Sequence, residues 1–290
     1  MATAGTPVRL RPLPLGELLD ETFKLYRRHF SVIAGVALVI ILPNLILSLI
    51  SGSYRANPFS YLQQVLQNAN DPAALQAIQA RQAQYTSSPL YLLSFPIAIL
   101  MIPFTVGALY RAATSLAAGN VETIGSVLAG TARRYFAVFG IVILAALVAL
   151  GSIGILTIPV VIWVLIRWSV ATPALFAEGV GPVKAVGRSW NLVRENWWRT
   201  VGIVIIVAIM VSLIQSALGV LFTGIAAVVP GLSDDLRAGL VTTVATLVDA
   251  LVSAITPIAI TMLYLDLRVR KEGLDLDQLA RLAAPGTAPA

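Results

Sequence analysis

Polar and hydrophobic positions along this chain follow a pattern that occurs three times. Each time, a basic stretch ends in an aromatic residue, and a glycine follows five residues later inside a long apolar run. Apolar residues also recur 11 and 7 positions before each aromatic residue, which is the spacing of one helix face. Each unit therefore predicts an amphipathic helix on the membrane surface that leads into a membrane-spanning helix.

The residues of the pattern define three units along the sequence. The aromatic residues are Phe30, Tyr135 and Trp197, and the glycines are Gly35, Gly140 and Gly202. The apolar positions are Leu19 and Phe23, Ile124 and Leu128, and Val186 and Trp190. An alternative is that unrelated spans resemble one another here, because basic and aromatic residues favour every cytoplasmic interface.

The apolar runs predict an all-α, polytopic membrane protein, because about 20 apolar residues cross the hydrocarbon core. Six segments qualify as transmembrane helices: 30–50, 90–110, 136–153, 156–177, 201–222 and 240–264. Gly151 and Gly154 permit a sharp turn between the third and fourth spans. We interpret residues 1–290 as a single integral membrane domain, built as three pseudo-repeats of one interfacial helix and two spans.

Helix-terminating residues refine this picture. Gly119, Gly179 and Gly273 follow the returning spans, where a left-handed cap is commonly needed. Prolines within or beside the spans predict kinks; they are Pro43, Pro96, Pro103, Pro159, Pro173 and Pro257. Residues 1–29 form the first cytoplasmic interfacial helix, and 274–290 form a cytoplasmic tail that begins with a candidate fourth surface helix over 274–282.

The outer loop over 51–89 is the largest soluble piece. Asn57-Pro58 and Asp71-Pro72 each predict a cap followed by proline at the first helical position. The second of these helices places Leu75, Ile78 and Tyr85 on one face. We therefore expect two short helices that rest on the outer membrane surface or on the ends of the spans.

Composition and charge agree with a membrane protein. Hydrophobic residues make up 58% of the chain and charged residues 12%, whereas soluble domains have about a quarter charged residues. The positive-inside rule places both termini in the cytoplasm, since 16 of the 20 lysines and arginines then lie on that side. This bias explains the net charge of +6 without nucleic-acid binding. The predicted location is the cytoplasmic (inner) cell membrane.

The sequence contains no catalytic signature. There is no cysteine, and a catalytic role for the single histidine, His29, would need an orienting carboxylate and a nucleophile beside it. No phosphate-binding glycine loop, His-Glu-x-x-His pair or Gly-x-Ser-x-Gly elbow is present. We therefore expect no enzyme activity, no catalytic residue, no metal site and no cofactor.

Two ionisable residues lie inside predicted spans. Arg167 is about halfway along the fourth span, and Asp249 is about a third of the way into the sixth span, counted from the outer face. A charge in hydrocarbon costs at least about 2.5 kcal/mol, so a partner or water is expected. The two residues would either form an ion pair that fixes helix packing, or line a polar path or bind an anionic headgroup. Asn44 and Gln215 predict interhelical hydrogen bonds.

The densest interfacial cluster lies at the third surface helix. Its candidates for contact with lipid or partner proteins are Arg188, Trp190, Arg194, Trp197, Trp198 and Arg199. Tryptophans and arginines on an interfacial helix suit anchoring to anionic headgroups. A specific site for a lipid or for another membrane protein is the sharper interpretation of the same residues.

Three interfacial stretches carry a resemblance to a known family. They are Arg11-Pro12-Leu13-Pro14-Leu15-Gly16-Glu17-Leu18-Leu19-Asp20 continuing to Tyr26-Arg27-Arg28-His29-Phe30, the 188–199 stretch with its three tryptophans, and Tyr264-Leu265-Asp266-Leu267-Arg268-Val269-Arg270-Lys271-Glu272-Gly273-Leu274-Asp275. Together they resemble the membrane domain named after glycerophosphoryl diester phosphodiesterases, and the likeness covers nearly the whole chain. In enzymes of that name the chemistry belongs to a soluble barrel domain with histidines and metal-binding carboxylates, so no catalytic residue carries over.

Two hypotheses for function follow. The first is a non-enzymatic integral membrane protein, a scaffold or lipid- and protein-interaction module that works through its cytoplasmic surface helices. The alternative is a transporter or lipid-handling permease with a polar site at Arg167 and Asp249. A water-accessible cavity that holds both residues would favour the alternative, and a dry pair that satisfies itself would favour the first.

The ion-pair hypothesis makes a testable prediction. If Arg167 and Asp249 form a structural pair, neutralising either residue alone destabilises the protein, because the remaining charge is left unpaired in the membrane. Replacing both with apolar residues should then restore stability, measured as resistance to unfolding in detergent. Continued instability of the double mutant would exclude the pair.

Overall fold

A computed structural model describes residues 11–52, 54, 58–151 and 157–273, and within these residues the regular structure is helical throughout. The predicted all-α class is therefore confirmed. The helices are α1 (Leu15–Arg28), α2 (Phe30–Ser51), α3 (Pro58–Gln67), α4 (Pro72–Thr86), α5 (Pro89–Ala117), α6 (Ile124–Arg133), α7 (Tyr135–Leu150), α8 (Ile158–Trp168), α9 (Ala171–Glu178), α10 (Pro182–Val193), α11 (Trp197–Val228), α12 (Asp234–Ser253) and α13 (Ile255–Glu272).

Five helical stretches of the described chain are long and apolar enough to cross a membrane, and each corresponds to a predicted span. They are Phe30–Ser51, Pro89–Ala117, Ile158–Glu178, Trp197–Ala226 and Leu236–Glu272. The number is six if α6 and α7 count as one bent span, with 66° between them. Such a bend is the geometry expected where a surface helix leads into a span. The predicted turn after Gly151 falls largely on 152–156, outside the described residues.

Two spans are interrupted, and proline explains both breaks. The first lies at Ser169 and Val170, between α8 and α9, and the second at Ala254, between α12 and α13. Pro173 and Pro257 are each the third residue of the helix that follows. A proline ring clashes with the carbonyl four residues earlier and cannot donate a backbone hydrogen bond to it, so the preceding helix ends there. Breaks are thus observed at these two prolines, but neither span bends by more than 40°, so the predicted kinks stay predictions.

Helix boundaries lie at the recurring aromatic residues, one residue before the predicted start of the third span and four residues before that of the fifth. Phe30, Tyr135 and Trp197 are the first residues of α2, α7 and α11. The predicted capping glycines have left-handed backbones, with φ of +82°, +67° and +63° at Gly119, Gly179 and Gly273. These are local features, and the relation of the three units as pseudo-repeats stays a prediction.

The loop between the first two spans contains the two predicted short helices, α3 and α4. Asp71 caps α4 through its side chain, which accepts hydrogen bonds from the backbone of Ala73 and Ala74 at 3.0 and 3.1 Å. Pro72 occupies the first helical position, as predicted. Asn57 and the candidate helix over 274–282 lie outside the described residues.

The buried face of the surface helices is offset by one residue from the predicted apolar face. The buried residues include Leu18, Thr22 and Leu25 of α1, and Ala185, Ser189 and Leu192 of α10. They lie 12, 8 and 5 positions before Phe30 and Trp197. The predicted residues at 11 and 7 positions, such as Phe23 and Trp190, are only partly buried. At an interface the lipid-facing side is apolar as well, so apolar periodicity alone does not single out the side that packs on protein.

The described residues fall into two compact units. The first unit comprises those within Met1–Ala37, Pro103–Leu213 and Val252–Ala290, and the second those within Leu38–Ile102 and Ile214–Leu251. In the first unit α13 is the most buried helix, and it packs on α1, α9 and α10. That the whole chain acts as a single membrane domain stays a prediction.

Two of the three recurring glycines permit close contact with the next surface helix. A Cβ atom on Gly140 would lie 3.0 Å from the Cβ and Cγ atoms of Pro182, the first residue of α10. A Cβ atom on Gly35 would overlap Cδ1 of Ile124, the first residue of α6. For Gly202 no atom of the described residues lies within 4 Å. Glycine thus serves helix packing at the first two positions.

We expect Gly140→Ala to destabilise the protein, because the proline ring cannot move away as a flexible side chain would. Overpacking costs about 1–3 kcal/mol, against a gain of up to about 1 kcal/mol from the higher helix propensity of alanine. Gly202→Ala is the matched control and should be neutral or slightly stabilising. Thermal unfolding of both variants in lipid nanodiscs measures the difference. Equal unfolding temperatures would contradict the packing role of Gly140.

Candidate functional site

Arg167 lies in a corner formed by two tryptophans. Its guanidinium carbon is 4.2 Å from the ring centroid of Trp163, one helical turn earlier in α8, and 4.4 Å from that of Trp190 in α10. The two indoles meet edge to face, with centroids 5.2 Å apart. The Arg167 Nε atom is buried and has no hydrogen-bond partner among the described residues of its unit. The aromatic rings therefore stabilise the charge of Arg167 but leave its buried Nε donor without an acceptor.

The break in the span begins two residues after Arg167, and Ser189 of α10 forms hydrogen bonds on both sides of it. The Ser189 hydroxyl donates to the Arg167 carbonyl at 2.7 Å and accepts from the Val170 backbone N–H at 3.2 Å. Both backbone groups would have been left unsatisfied by the end of α8. One buried serine thus fixes the geometry of the break and the position of Trp190 beside Arg167.

Asp249 lies in the second unit, beside a half-open cavity of about 410 Å³ between α11 and α12. Its Oδ1 accepts a short hydrogen bond from Nε2 of Gln215, which confirms the interhelical hydrogen bond predicted for Gln215. Arg167 belongs to the first unit, so each of the two residues has partners within its own unit. The direct pairing of Arg167 with Asp249 stays a prediction.

A fully buried carboxylate, Asp266, joins three segments of the first unit. The Leu13 backbone N–H donates to it at 2.8 Å, and the Nε atoms of Arg199 and Arg270 each donate at 3.0 Å. The Leu13 carbonyl in turn accepts hydrogen bonds from both guanidinium groups. The start of α1, the start of α11 and the end of α13 are therefore tied together by one charge cluster.

A second ionic network centres on Arg188 of α10. Its Nε donates to Glu178 at 2.7 Å, and its Nη2 forms an ion pair with Glu272. Tyr264 donates its hydroxyl proton to Glu178 at 2.8 Å, and Arg268 pairs with Glu272 at 3.0 Å. Partial burial lowers the pKa of Arg188, but the hydrogen bonds to the two glutamates outweigh this and hold the pKa above its usual value. Glu178 and Glu272 are the last residues of α9 and α13, and each is followed by a capping glycine. Arg188 therefore links the C-terminal ends of these two helices.

The six interfacial candidates have different environments. Arg188 and Arg199 pair with buried or half-buried acids, and Trp190 contacts Arg167. Arg194 is exposed, and Trp198 is exposed over 81% of its surface. Trp197 stacks edge to face on Trp198 at 4.6 Å. Contact of these residues with lipid or a partner protein stays a prediction.

Among the described residues, no group of three or more histidine, aspartate or glutamate side chains is arranged to hold a metal ion. His29 lies between α1 and α2, where partial burial and the neighbouring Arg28 lower its pKa.

Sequence reasoning missed the two carboxylate-centred networks. Asp266, Glu178 and Glu272 lie at the ends of spans among many basic residues, and the sequence pattern assigns no role to them. The available signal was their position, because an acid among interfacial arginines has a partner at hand. Which arginine it binds depends on helix packing, which the sequence pattern does not specify.

Part of the chain matches a known protein family. Residues 139–280 match the family model described as the membrane domain of glycerophosphoryl diester phosphodiesterase. The resemblance predicted from the sequence is confirmed over this range, which includes Arg167, Asp249 and all six interfacial candidates. The 11–30 stretch quoted for the same resemblance lies outside the match. No curated protein and no solved structure matches the chain.

We expect Asp266→Asn to destabilise the protein by about 3–5 kcal/mol, because it leaves two guanidinium groups around a buried neutral side chain. Asp20→Asn is the matched control: its carboxylate is exposed and pairs with the exposed Lys24, so its loss should have little effect. Unfolding by denaturant in mixed micelles measures both variants. A loss of stability that is no larger for Asp266→Asn than for Asp20→Asn would show that the Asp266 cluster does not hold the fold together.

Proposed function

We propose that this protein is a non-enzymatic integral membrane module that binds anionic lipid headgroups beside its short surface helices, given that residues 139–280 match a membrane domain. We place the surface helices and both termini on the cytoplasmic side of the inner cell membrane, as the distribution of basic residues predicts. The observation that carries the proposal is the guanidinium of Arg167, which contacts Trp163 and Trp190 and has a buried Nε without a hydrogen-bond partner.

The charge of Arg167 is only partly compensated within the protein. The two indoles offer cation–π contacts worth about 0.5–2 kcal/mol each, and a charge within a span costs at least about 2.5 kcal/mol. No carboxylate among the described residues of the first unit forms an ion pair with Arg167. An anion that accepts hydrogen bonds in the guanidinium plane would offset the remaining penalty.

A phosphate group is the anion that best matches the donors of a guanidinium. A guanidinium presents parallel N–H donors that match two oxygens of a phosphate, and it keeps its charge at any physiological pH. Rings that fix the guanidinium in place reduce the entropy lost on binding. Phosphate groups are abundant at membrane interfaces, so the phosphate of an anionic lipid is the ligand that fits this site.

The depth of Arg167 in the membrane follows from its contact with the surface helix α10. The sequence places Arg167 halfway along a span, but the break at Ser169 and Val170 allows it to contact Trp190 of the surface helix α10. Trp190 is one turn before the exposed Arg194, and Trp198 follows on α11. Exposed tryptophan and arginine are typical of the headgroup region. This supports a position of Arg167 within reach of lipid phosphates.

The exposed aromatic residues at helix starts support the same assignment. Phe136 is exposed over 82% of its surface at the start of α7, and Trp198 over 81% at the start of α11. Exposed Arg133 and Arg194 precede them by three and four residues. Apolar rings beside cations suit the boundary between acyl chains and anionic headgroups.

The test is lipid binding in nanodiscs of phosphatidylcholine that contain a minor fraction of phosphatidylglycerol. We expect native mass spectrometry to detect retained phosphatidylglycerol on the wild-type protein. Arg167→Gln should weaken this binding about 10-fold or more, because a charge-assisted hydrogen bond contributes roughly 1.5–3 kcal/mol. Arg167→Lys should have an intermediate effect, since it keeps the charge but loses the paired donors.

Arg81→Gln is the matched control, because Arg81 is an exposed arginine of α4 in the loop that we place on the outer side. It should bind phosphatidylglycerol like the wild type. Retention of phosphatidylglycerol by Arg167→Gln at the wild-type level would exclude the proposed site. Equal loss in both variants would indicate general attraction of anionic lipid to basic protein.

A second candidate function is a transporter or lipid-handling permease. The cavity beside Asp249 supports it, because ionisable residues that line cavities within spans commonly mark substrate pathways. A reconstituted protein that moves labelled lipid or solute between leaflets or compartments, and that loses this activity on Asp249→Asn, would favour the permease over the static binding module.

A further inference from the structure

A cavity with both polar and apolar lining residues lies between two apolar helices of the second unit. Three of its lining residues come from α11, namely Gln215, Gly219 and Phe222, and the polar residues of α12 that line it are Thr242, Thr246 and Asp249. The last three recur at intervals of four and three residues, so they share one face of α12. At about 410 Å³ the cavity is in the range of small-molecule sites and has room for more than a single ion.

The cavity offers a carboxylate together with several further hydrogen-bond acceptors. Asp249 uses Oδ1 to accept from Gln215, which leaves Oδ2 and the Gln215 amide oxygen available. The hydroxyls of Thr242 and Thr246 add further oxygen atoms. Within the second unit, no basic side chain among the described residues forms an ion pair with Asp249. The cavity therefore presents a negative, acceptor-rich surface inside a span.

We infer that this cavity binds the ammonium group of an organic amine, with Asp249 as its counter-ion and Phe222 and the neighbouring valines against its apolar part. An anion is disfavoured by the carboxylate. A bare metal ion would leave most of the volume unfilled, whereas an aliphatic amine occupies both the polar and the apolar surface. The face of an aromatic ring also attracts an ammonium group.

The ammonium group could belong to a lipid headgroup such as phosphatidylethanolamine or to a free amphiphilic amine. The recognition chemistry is the same in both cases. This site goes beyond the proposed binding of anionic lipid, because it lies in the other unit and selects the opposite charge. Arg167→Gln should leave amine binding unchanged, and Asp249→Asn should leave phosphatidylglycerol retention unchanged, so the two proposals fail independently.

The test uses the full chain in phosphatidylcholine nanodiscs, with octylamine as the probe and octanol as its uncharged counterpart. We expect octylamine to raise the apparent unfolding temperature in a saturable manner, and octanol to produce no saturable shift. Asp249→Asn should weaken octylamine binding about 10-fold or more. Asparagine keeps an Oδ1 acceptor for Gln215, so this variant removes the charge and retains the interhelical hydrogen bond.

A matched pair of threonine variants provides a second measurement. Thr246→Val removes a hydroxyl that lines the cavity, and Thr243→Val removes a neighbouring hydroxyl that donates to the Gly239 carbonyl at 2.8 Å. Octylamine binding should weaken in the first and remain unchanged in the second. If Asp249→Asn does not fold, this pair and the comparison of octylamine with octanol decide the question.

The source of the amine is decided by competition. Replacing part of the phosphatidylcholine with phosphatidylethanolamine should raise the apparent Kd for octylamine if the site accepts the lipid headgroup, and leave it unchanged if the site accepts free amines. Either result requires specific octylamine binding and supports an ammonium site. Equal effects of octylamine and octanol on the wild type, or undiminished octylamine binding by a folded Asp249→Asn variant, would overturn the inference.

Discussion

The carboxylate of Asp266 is the interaction on which the arrangement of the first unit depends. Its side chain has no accessible surface, and a carboxylate removed from water is tolerated only when its oxygens are hydrogen-bonded and its charge is compensated. Leu13, Arg199 and Arg270 meet both requirements. The N-terminal segment, α11 and α13 must therefore meet at this point, and the geometry that satisfies Asp266 also sets where α1 lies.

The ionic networks show that several basic residues are paired with acids inside the protein and are not available to anionic lipid. Counting basic residues by side of the membrane treats each as available to anionic lipid. In the structure Arg199 and Arg270 neutralise Asp266, and Arg188 and Arg268 neutralise Glu178 and Glu272. These cations hold helices together. Under the proposed function, recognition of an external anion depends on residues without an internal acid, and Arg167 in its aromatic corner is such a residue.

Local chemistry made much of the fold predictable from the sequence. Apolar runs gave five of the spans, because length and hydropathy alone determine whether a helix can cross the bilayer. The cap at Asp71, the left-handed glycines and the breaks before Pro173 and Pro257 depend on residues within one or two turns, so they too were predictable. Contacts between residues that lie far apart in the sequence were not predictable. Asp266 is 253 residues from Leu13 and 67 from Arg199, and no pattern of periodicity links them.

In the candidate site the charged residues were predictable from the sequence, but their neighbours in the structure were not. Arg167 and Asp249 were identifiable because an ionisable side chain in an apolar run is conspicuous, but their surroundings were not. Trp190 belongs to the face of α10 that apolar spacing had marked, and only the packing of α10 on α8 shows that this face meets a guanidinium. Within its own unit, each charge has contacts that position it without neutralising it. Two positioned but uncompensated charges in a membrane domain are costly for stability, and ligands of opposite charge would recover that stability on binding.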